Sequence, residues 1–404
     1  MKKQSKKDIV FLIKVMCGGG AERVITLLSN ASVQQGYNVT LIITHQSKKN
    51  AVITNIDPRV KILSLLDENK NVQNFQFIKN IITLFSRICG KVESIVLKKN
   101  PTKARITKYI AENYSNIKWL KSFFKQHKNA VAVSFMYDSS FYSLLSTSKN
   151  NKLIISERGD PQQSSNSHTT MAFMKDEFYK ADGFVFQSPD VKKWYEKNTP
   201  VVGTVIFNPI KPDLPEPYKG DKNKHIVNFC RISPEKNLIM LVDAFAEFHK
   251  NFPEYELDII GDPVGNDAEE YVDLVNERIS QCNCESCIHI LPSRKDIHEY
   301  IKEYSMFVSS SDFEGMSNSM LEAMALGLPC VCTDCPAGGA RAVIKDGENG
   351  LLTPVGDSHA LYLAMKKVAE NHDLAAKLSQ NSVKIREEQS VDKIIKKWME
   401  LIND

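Results

Sequence analysis

Two carboxylates stand eight residues apart in the run Phe313-Glu314-Gly315-Met316-Ser317-Asn318-Ser319-Met320-Leu321-Glu322-Ala323. The run opens a predicted helix. A strand-like segment, Met306 to Ser310, precedes it; Ser317 and Ser319 are candidate N-caps; Glu322 to Leu326 are helix formers stopped by Gly327. A helix N-terminus presents unpaired N–H groups and a positive dipole end to an anion such as a diphosphate. Glu314 then sits in the loop beside the bound group with Gly315, Met316 and Ser317, and Glu322, about two turns on, faces the same crevice. Both carboxylates accept hydrogens from hydroxyls, which a sugar or a ribose presents. Taken alone the spacing is moderately specific, because an exposed loop glutamate and a helix-surface glutamate produce it too.

Other segments supply complementary chemistry. Asn228-Phe229-Cys230-Arg231-Ile232-Ser233-Pro234-Glu235-Lys236-Asn237 lies between a predicted strand and a predicted helix from Leu238 to Lys250. Arg231 offers a planar fork for bidentate phosphate contact and Lys236 a mobile point charge, together enough to neutralise a diphosphate leaving group. Lys14 to Arg23 carries Gly18, Gly19 and Gly20 directly after the apolar run Ile9 to Ile13. Glycine lets backbone approach a ligand where a Cβ would clash, although a plain strand-to-helix turn accounts for this piece equally well, and it is not a dinucleotide fingerprint. Glu157, in Ile155-Ser156-Glu157-Arg158-Gly159-Asp160-Pro161, can bind a hydroxyl or pair with Arg158. Leu257 to Asp262 and His289 to Arg294 read as the ends of buried strands.

Together and in this order, the segments resemble family 4 (group 1) retaining glycosyltransferases of the GT-B fold, nearest to those that build bacterial capsular and surface polysaccharides. The resemblance extends through Thr333 to Arg341 and Asp346 to Leu352, and is weak between about Asn50 and Asn150. It implies an α/β chain of two Rossmann-like doubly wound domains facing across a cleft. It also implies transfer of a hexose or N-acetylhexosamine from a nucleotide-diphosphate sugar, a UDP-sugar, with retention. On that template Arg231 and Lys236 stabilise the departing diphosphate, Glu314 supports the sugar and its cationic anomeric centre, and Glu322 holds the ribose. Gly18 to Gly20 lie under the diphosphate near the acceptor, Arg294 lies where the base docks, and Glu157 meets a donor or acceptor hydroxyl. The template needs no cofactor and no metal, since cations and a helix dipole do that work, and no D-x-D context is evident. The chain departs from the pattern at Cys230 and Gly159, where glycine and asparagine are usual, and at Arg341, where many members carry glutamate; Arg341 receives no role.

The wider sequence agrees with two domains. A chain of 404 residues exceeds what one core usually holds, and 42% hydrophobic with 25% charged residues is ordinary for a soluble globular protein. Apolar strand-like runs alternate with helical segments, as parallel sheets with crossover helices require. The densest proline stretch, Thr199 to Lys224, reads as a hinge, giving an acceptor domain over 1–208 and a nucleotide-sugar domain over 209–385. The amphipathic C-terminal segment, about 386–404, is expected to pack back on the first domain.

Charge is uneven. Residues 1–150 carry 24 Lys and Arg against 8 Asp and Glu, whereas residues 251–350 carry 6 against 19. Ile78, Ile81, Ile82, Phe85, Ile88, Val92, Ile95 and Val96 fall on one predicted helical face, with Lys79, Arg87, Lys91 and Lys98 on another. Lys118, Lys121, Lys125 and Lys128 oppose Ile117, Leu120 and Phe124 in the same way. Such helices suit an anionic membrane surface or a lipid-linked diphosphate acceptor, and equally suit a core-facing stripe with a solvated basic face. Nucleic acid is not expected, as no recognised motif accompanies the charge. No run is long and apolar enough to span a bilayer, and the lysine-rich start reads as a buried first strand rather than a secretion signal. The expected location is cytoplasmic, peripheral on the inner face of the plasma membrane. Cys282, Cys284, Cys287 and Cys330, Cys332, Cys335 share one spacing that could hold zinc, but Cys330 and Cys332 sit in an apolar strand and read as buried thiols. His168, His298 and His359 are isolated in sequence. Three other classes stand beside the transferase: an epimerase-type enzyme, a phosphorylase, or a sugar-binding protein without turnover on the same fold. A phosphorylase needs a pyridoxal-phosphate lysine that nothing marks, and a pure binder has no need of both carboxylates and both cations.

Overall fold

A computed structural model describes residues 7–53, 55–68, 101–265 and 267–404. The chain divides into two compact units. Unit 1 comprises Met1–Gln187, Val191–Ile206 and Ile394–Asp404; unit 2 comprises Ser188–Asp190 and Phe207–Lys393. The proline-rich stretch therefore contains the change of unit, between Ile206 and Phe207.

Unit 1 is built on β1 (Asp8–Ile13), β2 (Asn38–Ile43), β3 (Lys61–Ser64), β4 (Val131–Phe135), β5 (Lys152–Ser156), β6 (Gly183–Phe186) and β7 (Thr204–Val205), in the order β3-β2-β1-β4-β5-β6-β7. Every pairing in this sheet is parallel. A parallel sheet is covered on both faces, so its strands are near-continuous apolar runs: Ile9 to Ile13 and Val131 to Val133 are all buried. The sheet winds one way from β1 to β3 and the other way from β4, which puts a topological switch point between β1 and β4. In open α/β sheets, ligand crevices form outside the carboxyl ends of the strands at such a point.

Unit 2 repeats the plan with β8 (His225–Phe229), β9 (Glu256–Ile260), β10 (Ile288–Leu291), β11 (Met306–Ser309), β12 (Cys330–Thr333) and β13 (Leu351–Thr353), in the order β10-β9-β8-β11-β12-β13. These pairings are parallel too. Its switch point lies between β8 and β11. One sheet face is covered by the helices Leu238–His249, Ala268–Gln281 and Ser358–Glu370, the other by Asn318–Ala325 with Ile210, Leu214 and Ile385.

Two amphipathic segments show where the apolar faces go. In the helix Tyr114–Gln126, Ile117, Leu120 and Phe124 are buried while Lys118, Lys121 and Lys125 are exposed, so the apolar stripe faces the core and only the basic face meets solvent. The expected stripe from Ile78 to Lys98 lies outside the described residues. The C-terminal helix Val391–Asn403 buries Ile394, Ile395, Trp398, Met399 and Ile402. From Ile394 onward it belongs to unit 1, where Trp398 stacks on Phe135 at 5.9 Å and the Lys152 ammonium donates to the Leu401 carbonyl at 2.6 Å. The segment from Ile394 to the C-terminal end of the helix thus completes the core of unit 1.

Trp398 is 1% exposed, and its removal leaves a cavity against Phe135 and Arg158. Trp398→Ala is expected to cost about 3–5 kcal/mol of unit 1 stability. Urea unfolding followed separately by probes in the two units should show an earlier transition in unit 1 and an unchanged one in unit 2.

Candidate functional site

The site of unit 2 is made by the loops that leave β8 and β11, the two strands flanking its switch point. After β8 the chain must pass close to β9. A Cβ on Gly261 would lie 1.7 Å from the Cys230 carbonyl oxygen, so only glycine permits this approach. The Ser233–Asn237 turn ends at Asn237, a left-handed residue with φ 43°, whose side chain accepts the Met240 N–H at 3.2 Å and caps the helix Leu238–His249. That helix ends one residue earlier than the sequence pattern indicates, at His249.

Three hydrogen bonds stitch this turn to the loop after β11. The Ser310 hydroxyl donates to the Lys236 carbonyl (2.9 Å), the Asp312 N–H to the Glu235 carbonyl (2.9 Å), and the Asn237 amide to the Asp312 carboxylate (2.8 Å). With the loops so placed, the Lys236 ammonium pairs with the Glu314 carboxylate. The lysine side chain is 11% exposed and the glutamate 25%. Burial opposes the charge on Lys236, but the Glu314 carboxylate outweighs it and holds the ammonium above its ordinary value. Arg231 is mostly exposed, with a 3.5 Å contact to Glu235, so its fork is open to a ligand. The structure therefore brings Glu314 to Arg231 and Lys236, although it lies 78 residues beyond Lys236 in the chain.

The loop continues through Gly315 and the buried Met316 to Ser317, which accepts the Met320 N–H at 3.3 Å and caps the helix Asn318–Ala325. Helix geometry leaves the earlier first-turn N–H groups without an intrahelical acceptor. Of the two candidate caps, Ser317 is the one used. Gly339 packs on this loop so tightly that a Cβ there would meet the Gly315 carbonyl oxygen at 1.6 Å. Asn208 donates to the Met316 carbonyl (3.2 Å) and to the Asn318 side chain (2.9 Å), fixing the loop from the proline-rich stretch.

Glu322 differs from expectation. Instead of opening onto a crevice it is 3% exposed, and His298 donates to it across 2.9 Å, both residues being buried. The helix Asn318–Ala325 covers a sheet face, and about one turn on from its start the Glu322 side chain is already buried. His298, isolated in sequence, is thus the partner of Glu322, just as His359 is the partner of Glu247 at 2.9 Å. Arg294 lies on the loop after β10, where its fork is held by Asp296 at 2.9 and 3.0 Å and stacks over Tyr300 at 4.0 Å. Cys230 and Cys335 are thiols near enough to feel the charges of Lys236 and Glu314, and burial pushes Cys230 up to about 12 and Cys335 up to about 11.

Unit 1 carries its own cluster at the carboxyl ends of β1, β4 and β5. Gly18 is left-handed at φ 86°, Gly19 is extended, and Gly20 begins the helix Gly20–Gln34. Lys14, just before this loop, pairs with Asp138 at 3.0 Å. The loop is latched to the residues after β2 by Gln46, which accepts the Met16 N–H at 2.7 Å. Between β4 and the helix Tyr137–Ser146, Met136 holds φ 68° and ψ 160°, a region natural to glycine. Bonds from its N–H to the Ser156 carbonyl, and to its carbonyl from the Ser140 N–H and hydroxyl, over-determine that conformation. Glu157 is 1% exposed and Arg158 9%, with the guanidinium 4.5 Å over Phe135. Burial pushes the Glu157 carboxyl up to about 8, partly offset by Arg158.

Residues 211–385 match the family described as glycosyl transferases group 1. Among curated proteins, the UDP-N-acetylglucosamine–peptide N-acetylglucosaminyltransferase GtfA subunit of Streptococcus pneumoniae serotype 4 is 30% identical over 165 residues, 41% of this chain and 31% of that protein. The N-acetylgalactosamine-N,N'-diacetylbacillosaminyl-diphospho-undecaprenol 4-alpha-N-acetylgalactosaminyltransferase of Campylobacter jejuni is 30% identical over 165 residues, 41% of this chain and 42% of that one. The matches thus span less than half the length of these relatives. A Staphylococcus aureus TarM mutant in complex with Fondaparinux, alpha-GlcNAc-glycerol and UDP has a TM-score of 0.75 at 14% identity, covering 99% of this chain and 100% of that one. The likeness shows the fold, which is GT-B.

The buried Glu157 gives a test of unit 1. The folded chain keeps its proton up to about pH 8, whereas the unfolded chain releases it near 4.5. Between those values the native state binds more protons, so the contribution is complete below the lower value and is lost as pH rises through the upper one. Glu157→Gln, which stays neutral, should show a Tm that exceeds wild type by a margin widening from pH 5 to pH 8, measured by thermal unfolding across that range.

Proposed function

From the premise that residues 211–385 are glycosyl transferase group 1 sequence, we propose that the chain is a retaining glycosyltransferase. It moves a hexose or N-acetylhexosamine from a UDP-sugar to a growing, lipid-linked surface glycan. The observation that carries this reading is the meeting of Lys236 and Glu314 at the switch point of unit 2, with Arg231 exposed beside them.

The chemistry follows from charge. Breaking the bond between the anomeric carbon and the diphosphate develops negative charge on the leaving group and positive charge on the sugar. Arg231 and Lys236 oppose the first and Glu314 the second. Such preorganised electrostatics, stronger toward the transition state than toward the ground state, often contributes more to catalysis than any other effect. The first turn of the helix Asn318–Ala325 adds N–H donors and the positive end of a dipole for the diphosphate. UDP as the nucleotide is supported by the UDP bound in the TarM complex and by the UDP-N-acetylglucosamine in the name of the pneumococcal relative. These residues supply the charges by themselves, so the proposed reaction uses no metal and no cofactor beyond the donor.

Unit 1 is read as the acceptor unit, through the loop Gly18 to Gly20 and the cluster around Lys14 and Asp138. The diphospho-undecaprenol acceptor in the name of the Campylobacter relative supports a lipid-linked diphosphate here. So does the basic excess of residues 1–150. Among the described residues no helix is long and apolar enough to cross a membrane, and attachment is proposed to be peripheral, at the inner face of the plasma membrane. A soluble acceptor is the second reading, and the burial of Ile117, Leu120 and Phe124 favours it, since it accounts for that helix by packing alone.

Two outcomes are expected. Arg231→Ala and Lys236→Ala should each weaken UDP binding by about 1.5–3 kcal/mol in calorimetry, and Glu314→Gln should remain folded while losing most turnover in a UDP-sugar release assay. Unchanged UDP affinity in the cation variants would show that these side chains do not meet the diphosphate. For the acceptor, each basic side chain near an anionic surface contributes about 1 kcal/mol, weakened by salt. Charge reversal at Lys118, Lys121 and Lys125 should therefore abolish cosedimentation with anionic liposomes at low salt; retention of binding would leave the soluble acceptor.

A further inference from the structure

We propose that the Lys236–Glu314 ion pair is exchanged when the donor binds: the diphosphate takes the ammonium away from the carboxylate, and the released Glu314 turns to the donor sugar. The exchange rests on the donor-site reading of unit 2 and is the way that site is loaded.

Three observations carry it. First, among the described residues Lys236 and Glu314 form their ion pair with each other, so the cation meant for a phosphate and the carboxylate meant for a sugar are mutually engaged. Second, the pair is not what fastens the two loops. The bonds from Ser310 to the Lys236 carbonyl, from Asp312 to the Glu235 carbonyl and from Asn237 to Asp312 hold them together without either charged group. Parting the two side chains therefore leaves the backbone in place. Third, Lys236 is largely buried and needs an anion wherever it points, whereas Glu314 is the more exposed partner and can be rehydrated or taken up by hydroxyls. A diphosphate satisfies the buried cation better than a single carboxylate, and Arg231 stands ready to share its charge.

The consequence has a distinctive sign. Glu314 is a competitor for the diphosphate as well as a group that acts on the sugar, so removing its charge should strengthen diphosphate binding while turnover falls. A residue that merely shapes the site would weaken binding when altered. The competition also acts only on phosphate-bearing ligands, because uridine makes no claim on Lys236.

The test is calorimetry on the full chain with UDP, inorganic pyrophosphate and uridine. Glu314→Gln and, as a second variant, Glu314→Ala are expected to bind UDP and pyrophosphate roughly 5- to 30-fold more tightly than wild type and to leave uridine affinity unchanged. In a Lys236→Ala background the same change should bring much less gain, since the contested cation is gone. UDP bound no more tightly by either Glu314 variant, with Lys236→Ala still weakening UDP, overturns the exchange and leaves the donor site standing. Equal tightening of UDP and uridine also overturns it, by showing a general change of the pocket. UDP affinity insensitive to Lys236→Ala removes the donor-site reading itself, and the exchange with it.

Discussion

The site of unit 2 depends on one constraint: a buried ammonium and a partly buried carboxylate must be brought within reach of each other although they lie far apart in sequence. Removing two charges from water costs more than a bare Coulombic attraction returns, so such a pair persists only where backbone geometry delivers it. Here the strand order does so. β8 and β11 are sheet neighbours, their carboxyl ends form the switch point, and the loops leaving them are stitched at Ser310, Asp312 and Asn237 before the charged side chains meet. The close approaches at Gly261 and Gly339 belong to the same construction, because a Cβ at Gly261 would displace the loop after β8 and one at Gly339 the loop after β11.

How legible this was in the sequence depends on the range of the interactions. Strands of a parallel sheet announce themselves as apolar runs, and Ile9 to Ile13, Leu257 to Ile260 and Met306 to Val308 are strands for that reason. The helix starts at Asn237 and Ser317 were readable because capping is local, resting on one side chain and an N–H three residues on. The division of the chain was partly readable: proline density marks the stretch where the unit changes, but nothing in composition marks Ser188–Asp190 as belonging with the second unit.

Pairings across the fold were not readable. No pattern of residues signals that His298 meets Glu322, since one lies on a short helix after β10 and the other on the helix after β11; only the packed sheet puts them 2.9 Å apart. Asn208 was hidden in the same way among the prolines, and the strained backbone of Met136 was hidden because methionine has no preference for that conformation. The signal that could have found His298 is indirect. A glutamate placed by helical spacing on the buried side requires a polar partner, and a histidine on the neighbouring element is a natural one.

The two units offer an internal comparison that bears on what such a pair is worth. Each carries a lysine just after a central strand opposite an acid from the segment that follows the strand across the switch point: Lys14 with Asp138 in the first turn of a helix, and Lys236 with Glu314 in a loop. Topology thus brings the two positions together in both, and the residues there carry opposite charges. Solvent then separates them. Lys14 and Asp138 are 46% and 42% exposed, the range in which ion pairs contribute little and water readily replaces either partner. Lys236 is 11% exposed, so it exchanges one anion for another far more readily than it exchanges an anion for water. The same architecture thus yields an ordinary surface contact in one unit and, in the other, a largely buried cation held by a partly buried carboxylate.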